Sequence, residues 1–356
     1  MSLARQLARP EVLSLDPYVP ARWEPALERL HANENPWRST ADASAAGLNR
    51  YPEPYPLTLE ARLAALYGVD AGCLVAGRGS DEGIDLLVRA FCVPGRDAIL
   101  TCPPTFAMYA FAARVQGAQV LEVPLVHERG FALDARALVA SVSPAVKLAF
   151  VCTPNNPTGG ACKLQDLAEL AAALRNRALL VVDEAYAEFS DEPSALALLP
   201  TTPNLVVLRT LSKAYALAGA RCGAVIAAPD IVTLLRRIVP PYSIATPASE
   251  AVLAALEPDR QGLARERIGR LVQERERLSA ALASLPDCVR VYSSRANFVL
   301  AEFKDAARAM AMARAGGFAL RDFSQGPYTP GCIRISVGTP EQTDRLLAAL
   351  GRGGRA

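Results

Sequence analysis

Between residues 97 and 228 the chain alternates two kinds of segment, and this alternation constrains the fold more than any other feature. "DAILTC" (97–102), "AQVLEVP" (118–124), "VKLAFVCTP" (146–154), "ALLVVDEAY" (178–186), "NLVVLRT" (204–210) and "CGAVIAA" (222–228) are short, and most are continuously apolar. Longer amphipathic stretches such as "LQDLAELAAALRNR" (164–177) lie between several of them. A strand that is apolar on both faces must be covered on both, so the pattern predicts an α/β domain whose mostly parallel sheet is covered by helices. Ligands of such sheets bind beyond the carboxyl ends of the strands. The residues that follow each apolar run are therefore the place to look for chemistry.

After "PPYSIATP" (240–247) the pattern changes to a charge-laced helix over about 248–285, then the strand-like "VRVYSSRANFVLAEF", the helical "DAARAMAMARAGG", the strand "CIRISVG" and the helix "PEQTDRLLAAL". The predicted organisation has three parts. Residues 1–45 form an N-terminal arm with part of a small domain, 46–245 a large domain, and 246–356 a long connecting helix with a smaller α+β C-terminal domain. The closing "GRGGRA" is expected to fray.

With 356 residues and 51% hydrophobic letters the chain can bury a large core. Its 38 basic and 36 acidic residues nearly cancel, without a basic block, so the charge pattern carries no footprint of a nucleic acid. "MSLARQLARPEVLSLDPYVP" is broken by charges and prolines, and no later run is long enough to span a bilayer; the expectation is a cytoplasmic protein with no membrane partner. Eight cysteines without a CxxC pair and two distant histidines argue for free thiols rather than disulfides or a metal site. A small molecule is the expected partner.

Four features sit where strands are predicted to end or helices to begin. In "GRGSDEGIDLLVRAFC" (77–92), glycines precede Ser80 and Asp81, and Ile84, Leu87, Val88 and Phe91 follow at helical spacing. Amides at such a helix start hold phosphate; an ordinary helix cap accounts for the same letters. "TPNNPTGG" (153–160) places Asn156 at a strand's carboxyl end, although its prolines and glycines also suit a plain surface loop. In "VVDEAYAEF" (181–189), Asp183 and Tyr186 follow a buried strand, where a carboxylate needs a cationic or hydrogen-bonding partner. Lastly, "RTLSKAYALAGARCG" (209–223) carries Ser212, Lys213 and Arg221. A lysine there is by default a solvated helix end. Desolvated at the mouth of a sheet, it becomes a nucleophile toward aldehydes.

Together the four meet the requirements of pyridoxal 5'-phosphate. Lys213 supplies the amine for a Schiff base and Asp183 a carboxylate for the ring nitrogen. Asn156 with Tyr186 supplies donors for the phenolate oxygen, and the Ser80/Asp81 helix start with Ser212 and Arg221 an anion cradle.

These motifs, in order with "LHANENPW", "RYPEPYP", "PPTFAMY", "PPYSIATP", "ANFVL" and "CIRISVGT", run through nearly the whole chain. The chain resembles the class II aminotransferases of pyridoxal-phosphate fold type I and, within them, the histidinol-phosphate aminotransferases. The resemblance implies a homodimer with a shared active site, in which Tyr51 reaches the cofactor phosphate of the neighbouring subunit. It also implies that Tyr109 lies against the cofactor ring, and that Tyr18, Asn33, Arg321 and Arg334 face the substrate's anionic end. The reaction implied exchanges an amino group between histidinol phosphate and 2-oxoglutarate, giving imidazole-acetol phosphate and glutamate; aromatic amino-acid transamination and threonine-phosphate decarboxylation are the alternatives. One departure is Phe106, where relatives are expected often to carry Tyr. Arg334 has a warrant of its own, because an arginine inside the apolar run "CIRISV" must find an anion.

Overall fold

The computed structural model describes residues 2–22, 24 and 26–351. Of the closing "GRGGRA", all but Gly351 lies outside the described residues.

Seven strands build the larger sheet: β1 (Leu74–Gly77), β2 (Ala98–Thr101), β3 (Gln119–Glu122), β4 (Val146–Cys152), β5 (Leu179–Asp183), β6 (Leu205–Thr210) and β7 (Gly223–Ala227). Their spatial order is β1-β7-β6-β5-β4-β2-β3. β7 runs antiparallel to both neighbours, and the remaining pairings are parallel. Strands β2, β5, β6 and β7 are buried at every position, as two-sided coverage requires. β3, on the edge, is not. All six strands expected between 97 and 228 are present, whereas β1 is a seventh, whose four residues "LVAG" are too short a run to announce it.

Each face of the sheet has its own core. One packs Leu87, Phe91, Phe150 and Leu235 together. The other receives Leu167, Leu170, Ala171 and Leu174 from the helix Leu164–Leu174, one apolar stripe at i, i+3, i+4 and i+7. Burying each such leucine contributes about 1.5–3 kcal/mol.

The smaller sheet is antiparallel, in the order β10-β11-β9-β8, from β8 (Cys288–Val291), β9 (Phe298–Phe303), β10 (Arg321–Asp322) and β11 (Cys332–Ser336). Leu278, Val299, Ile333 and Leu346 meet in its core.

Two expectations about organisation need correction. The helix expected over 248–285 is two helices, Thr246–Ala255 and Pro258–Ala283. Pro258 disfavours helical backbone at the residue before it, and Glu257 is extended (φ −65°, ψ 145°). The first of the pair packs Val252 and Leu256 against Leu59, Leu63 and Leu74, so it belongs with the large sheet. Residues 3–13 pack with the large unit rather than the small one. Ala4, Ala8 and Val12, on two short helices and the extended link between them, enter the core beside Leu87 and Phe91, and Arg237 donates to the carbonyls of Val12 and Leu13 (3.3 and 2.7 Å).

Candidate active site

A cavity of about 410 Å³ opens at the carboxyl ends of β4, β5 and β6, with Cys152, Asp183 and Thr210 at its floor. Parallel strands bring those three ends side by side, Cys152 being the register partner of Asp183. The segments leaving the strands carry the chemistry: Asn156 after β4, Tyr186 after β5, and Ser212 and Lys213 after β6, all lining the cavity.

Lys213 lines the cavity, with its side chain exposed to it. Burial is the largest influence holding its ammonium below the ordinary lysine range, and the guanidinium groups of Arg334 and Arg221 add to it. Its Nζ lies 5.8 Å from the centre of the Tyr186 ring. Asp183 faces the same cavity at 2% exposure. Burial pushes its carboxyl up to about 6, opposed by bonds donated from the Tyr109 hydroxyl at 2.6 Å and the Ala185 N–H at 3.1 Å.

On the opposite side the helix Ser80–Phe91 points its first turn into the cavity with Ser80 and Asp81. The leading N–H groups of a helix have no intrahelical acceptor and carry the positive end of its dipole. Gly79 precedes it at φ +85°, a conformation other residues rarely adopt. Gly223 permits the close approach of β7, because a Cβ there would stand 2.8 Å from the Ser80 nitrogen. Arg221, in left-handed backbone (φ 52°), donates to Ser212 Oγ (3.3 Å) and pairs with Asp81 (3.2 Å). Two hydroxyls, a guanidinium and a helix start therefore converge on one corner: a donor set suited to a phosphate.

The consecutive asparagines divide their work. Asn155 ties the loop together, donating to Thr158 Oγ1 (2.8 Å) and the Pro104 carbonyl (2.9 Å) while accepting from Thr105 (2.7 Å). Asn156 faces the cavity, and its Oδ1 accepts from Arg334 of the small sheet. Its NH2 is left to donate to a ligand.

Arg321 and Arg334 close the top of the cavity. Phe323 lies beside both guanidinium groups, at 5.8 and 5.6 Å. Burial pulls the Arg334 pKa down and Arg321 pulls further; its Nε has no hydrogen-bond partner, and no carboxylate forms an ion pair with either arginine among the described residues. Two unpaired cations at the mouth of a cavity constitute an anion site.

One residue expected at the cofactor ring is elsewhere. Tyr109 is fully buried, stacked on Phe150 (4.7 Å, 14°), and does not line the cavity. Phe106, three residues earlier, lines it instead and meets Tyr109 edge-on (5.7 Å, 84°). The helix Met108–Gln116 begins between them, and its first turn carries Tyr109 inward under Asp183. Tyr18, Asn33 and Tyr51 do not line this cavity either. Tyr18 borders a separate groove with Tyr55 and Arg237, and Tyr51 rests on Tyr242 at 4.7 Å. Sequence reasoning passed over Cys152, Thr210 and Phe323. The first two were legible as strand ends, and Phe323 as the residue on the same strand face as Arg321.

Beneath the site lies a buried ion network. Arg209 bonds Glu184 (2.7 Å) and Glu188 (2.8 Å), and Glu184 accepts from Ser194 Oγ (2.5 Å) and the Ala195 N–H (2.6 Å). Arg209 stands four residues before Lys213 and Glu184 follows Asp183, so the network joins the two segments that carry them.

Known proteins resemble this chain over most of its length. The histidinol-phosphate aminotransferase of Stenotrophomonas maltophilia (strain R551-3) is 49% identical over 97% of this chain and 95% of its own length. That of Xylella fastidiosa (strain 9a5c) is 48% identical over 90% and 88%. Among solved structures, the histidinol-phosphate aminotransferase of Sinorhizobium meliloti in complex with pyridoxal-5'-phosphate superposes with a TM-score of 0.77 at 27% identity, covering 86% of this chain and 83% of that one. The Clostridium acetobutylicum histidinol-phosphate aminotransferase has the same fold, with a TM-score of 0.78 at 21% identity over 86% and 91%. Residues 27–350 match the family described as aminotransferase class I and II, and the chain belongs to that family.

Proposed function

We propose that this aminotransferase uses pyridoxal 5'-phosphate to interconvert histidinol phosphate plus 2-oxoglutarate with imidazole-acetol phosphate plus glutamate. The observation that carries the reading is the pair Lys213 and Asp183 in one cavity whose far corner is an anion cradle and whose mouth holds two unpaired arginines. The histidinol-phosphate aminotransferases that the chain resembles point to the substrate.

The residues present fit the cofactor. Ser80 and Asp81 at the helix start, with Ser212 and Arg221, would hold its phosphate, Asn156 and Tyr186 would donate to the phenolate oxygen, and Phe106 would lie beside the ring. Bound there, pyridoxal phosphate supplies an electron sink for a carbanion. Asp183 keeps a proton on the ring nitrogen. Lys213, its ammonium held below the ordinary lysine range by burial and by two guanidinium neighbours, would be the amine that takes the cofactor and the general base for the substrate's α proton. Arg321 and Arg334 hold the substrate's phosphate, and a carboxylate when glutamate takes its turn.

A second copy of the chain completes the site in this reading. Nine large apolar side chains between residues 15 and 57 are exposed, among them Tyr18, Val19, Leu30, Trp37 and Tyr51, against four elsewhere among the described residues. That concentration suits a covered face, and it contains Tyr51, the residue assigned to the neighbour's phosphate.

The test is a donor panel on purified protein: histidinol phosphate, histidinol, phenylalanine and tyrosine, with keto product and carbon dioxide both followed. Highest efficiency with histidinol phosphate and no carbon dioxide is the expected result. A preference for the aromatic amino acids, or release of carbon dioxide, replaces the substrate assignment. Borohydride reduction followed by peptide mapping should tag Lys213, and a tag on another lysine overturns its role.

A further inference from the structure

Tyr109 does not touch the cavity, yet it is bonded to the one carboxylate on the cavity floor. Its hydroxyl donates to Asp183 Oδ2 at 2.6 Å, while the Ala185 N–H donates to Oδ1 at 3.1 Å. Both carboxylate oxygens therefore accept a bond from the protein. Donors of this kind stabilise the ionised carboxylate over the acid. The ring that presents the hydroxyl is held flat against Phe150 and edge-on against Phe106, fully buried. It has no freedom to turn away.

We propose that Tyr109 is a positioning residue for Asp183, fixing the carboxylate's orientation and keeping it ionised beneath the cofactor ring. The inference rests on the cofactor reading above. The need for such a residue is electrostatic. Burial drives Asp183 toward its neutral form, and the carboxylates of Asp81 and Glu184 drive it the same way. Of the other groups around it, Tyr186 and Cys152 are neutral at physiological pH, burial raising both, and Lys213 shares the cavity. Tyr109 is the side chain that opposes burial by a direct bond. A carboxylate made more basic draws the ring-nitrogen proton to itself, which leaves the ring less positive. The Lys213 nitrogen attached to a less positive ring then holds its own proton to higher pH, and the bound cofactor's visible band titrates with that nitrogen.

The experiment compares wild type, Tyr109→Phe and protein carrying a ring-fluorinated tyrosine at position 109, each with pyridoxal phosphate bound. Phenylalanine preserves the stack on Phe150 and deletes the donor; the fluorinated ring keeps the shape and donates more strongly. The pH midpoint of the visible band should rise by about one unit in Tyr109→Phe, a roughly tenfold change in the equilibrium, and fall in the fluorinated protein. The half-reaction rate should drop about tenfold or more in Tyr109→Phe, with little change in the KM for the amine. Midpoints that stay put in both variants overturn the proposal, even if the rate falls, because a purely structural tyrosine would give that result. Should Tyr109→Phe fail to fold, the fluorinated protein decides alone: a lowered midpoint supports the proposal and an unmoved one overturns it. A wild type that develops no visible band with pyridoxal phosphate removes the cofactor reading and this inference with it.

Discussion

Arg321 and Arg334 are register partners across β10 and β11, so two guanidinium groups stand side by side on one edge of the small sheet without a carboxylate between them. Like charges so placed repel, and the arrangement is stable in use when an anion separates them. Removing one partner of a desolvated ionic contact costs roughly 2–5 kcal/mol, on the order of thirtyfold or more in catalytic efficiency. Arg334→Ala should therefore damage both half-reactions. Arg321→Ala, at the exposed end of the pair, should hurt histidinol phosphate more than phenylalanine as donor. Steady-state kinetics with both donors checks this, and an unchanged ranking in Arg321→Ala removes that residue from phosphate recognition.

Asp183 makes a prediction with a definite sign in pH. Its folded-state pKa of about 6 lies above the ordinary carboxyl value of 3.8, so between these values the folded chain binds more protons than the unfolded one. Stability contributed by the protonated form is fully present below about pH 4 and lost as pH rises through 6. Without cofactor, Asp183→Asn should raise the melting temperature at pH 8, by an amount corresponding to about 3 kcal/mol at most, and leave it near wild type at pH 4. With cofactor the same substitution should abolish most turnover, because an amide cannot hold the ring-nitrogen proton. Thermal melts at the two pH values, and the half-reaction rate, are the measurements.

The assignment of Tyr51 to the neighbouring subunit predicts complementation. Neither Tyr51→Ala nor Lys213→Ala should be active alone to any useful degree, whereas a mixed population of dimers should recover partial activity, each hybrid holding one intact site. Activity is followed after exchange, with subunit mixing verified by mass. Absence of recovery despite exchange would show that Tyr51 does not serve the partner.

Arg209 carries a stability prediction. Its side chain is 8% exposed and is the cation for Glu184 and Glu188, whose side chains are 3% and 11% exposed. Burial already pushes Glu188 up. Arg209→Met would strand two carboxylates beneath the site, and breaking a buried pair by deleting one partner costs about 3–5 kcal/mol. Urea unfolding at fixed chain concentration should report a loss of that order, larger at pH 8 than at pH 5, where Glu188, already pushed up by burial, can take up a proton. A loss below about 1 kcal/mol would mean that the network relaxes or admits water.

Much of this protein was determined by local rules that the sequence states openly. Two-sided burial demands the apolar runs that became β2, β4, β5, β6 and β7, and parallel strands place their carboxyl ends together. Asp183, Lys213, Asn156 and the Ser80 helix start were therefore placed at strand ends and helix starts by position, and only the four together pointed to one site. Other outcomes depended on distances that sequence spacing does not encode. Phe106 and Tyr109 are three residues apart, and only the start of a helix between them decided which faces the cavity and which passes beneath Asp183. The extended backbone before Pro258 was readable in principle but lost within a long charged pattern. Arg321 and Arg334 are thirteen positions apart in sequence, and the antiparallel register of two strands alone made them neighbours. Tyr18, Asn33 and Tyr51 do not line the cavity that Lys213 lines, and a part for them there rests on the proposed second copy of the chain. Backbone pattern follows from burial and hydrogen bonding within short windows, whereas side-chain partners across domains follow from packing that closes only in three dimensions.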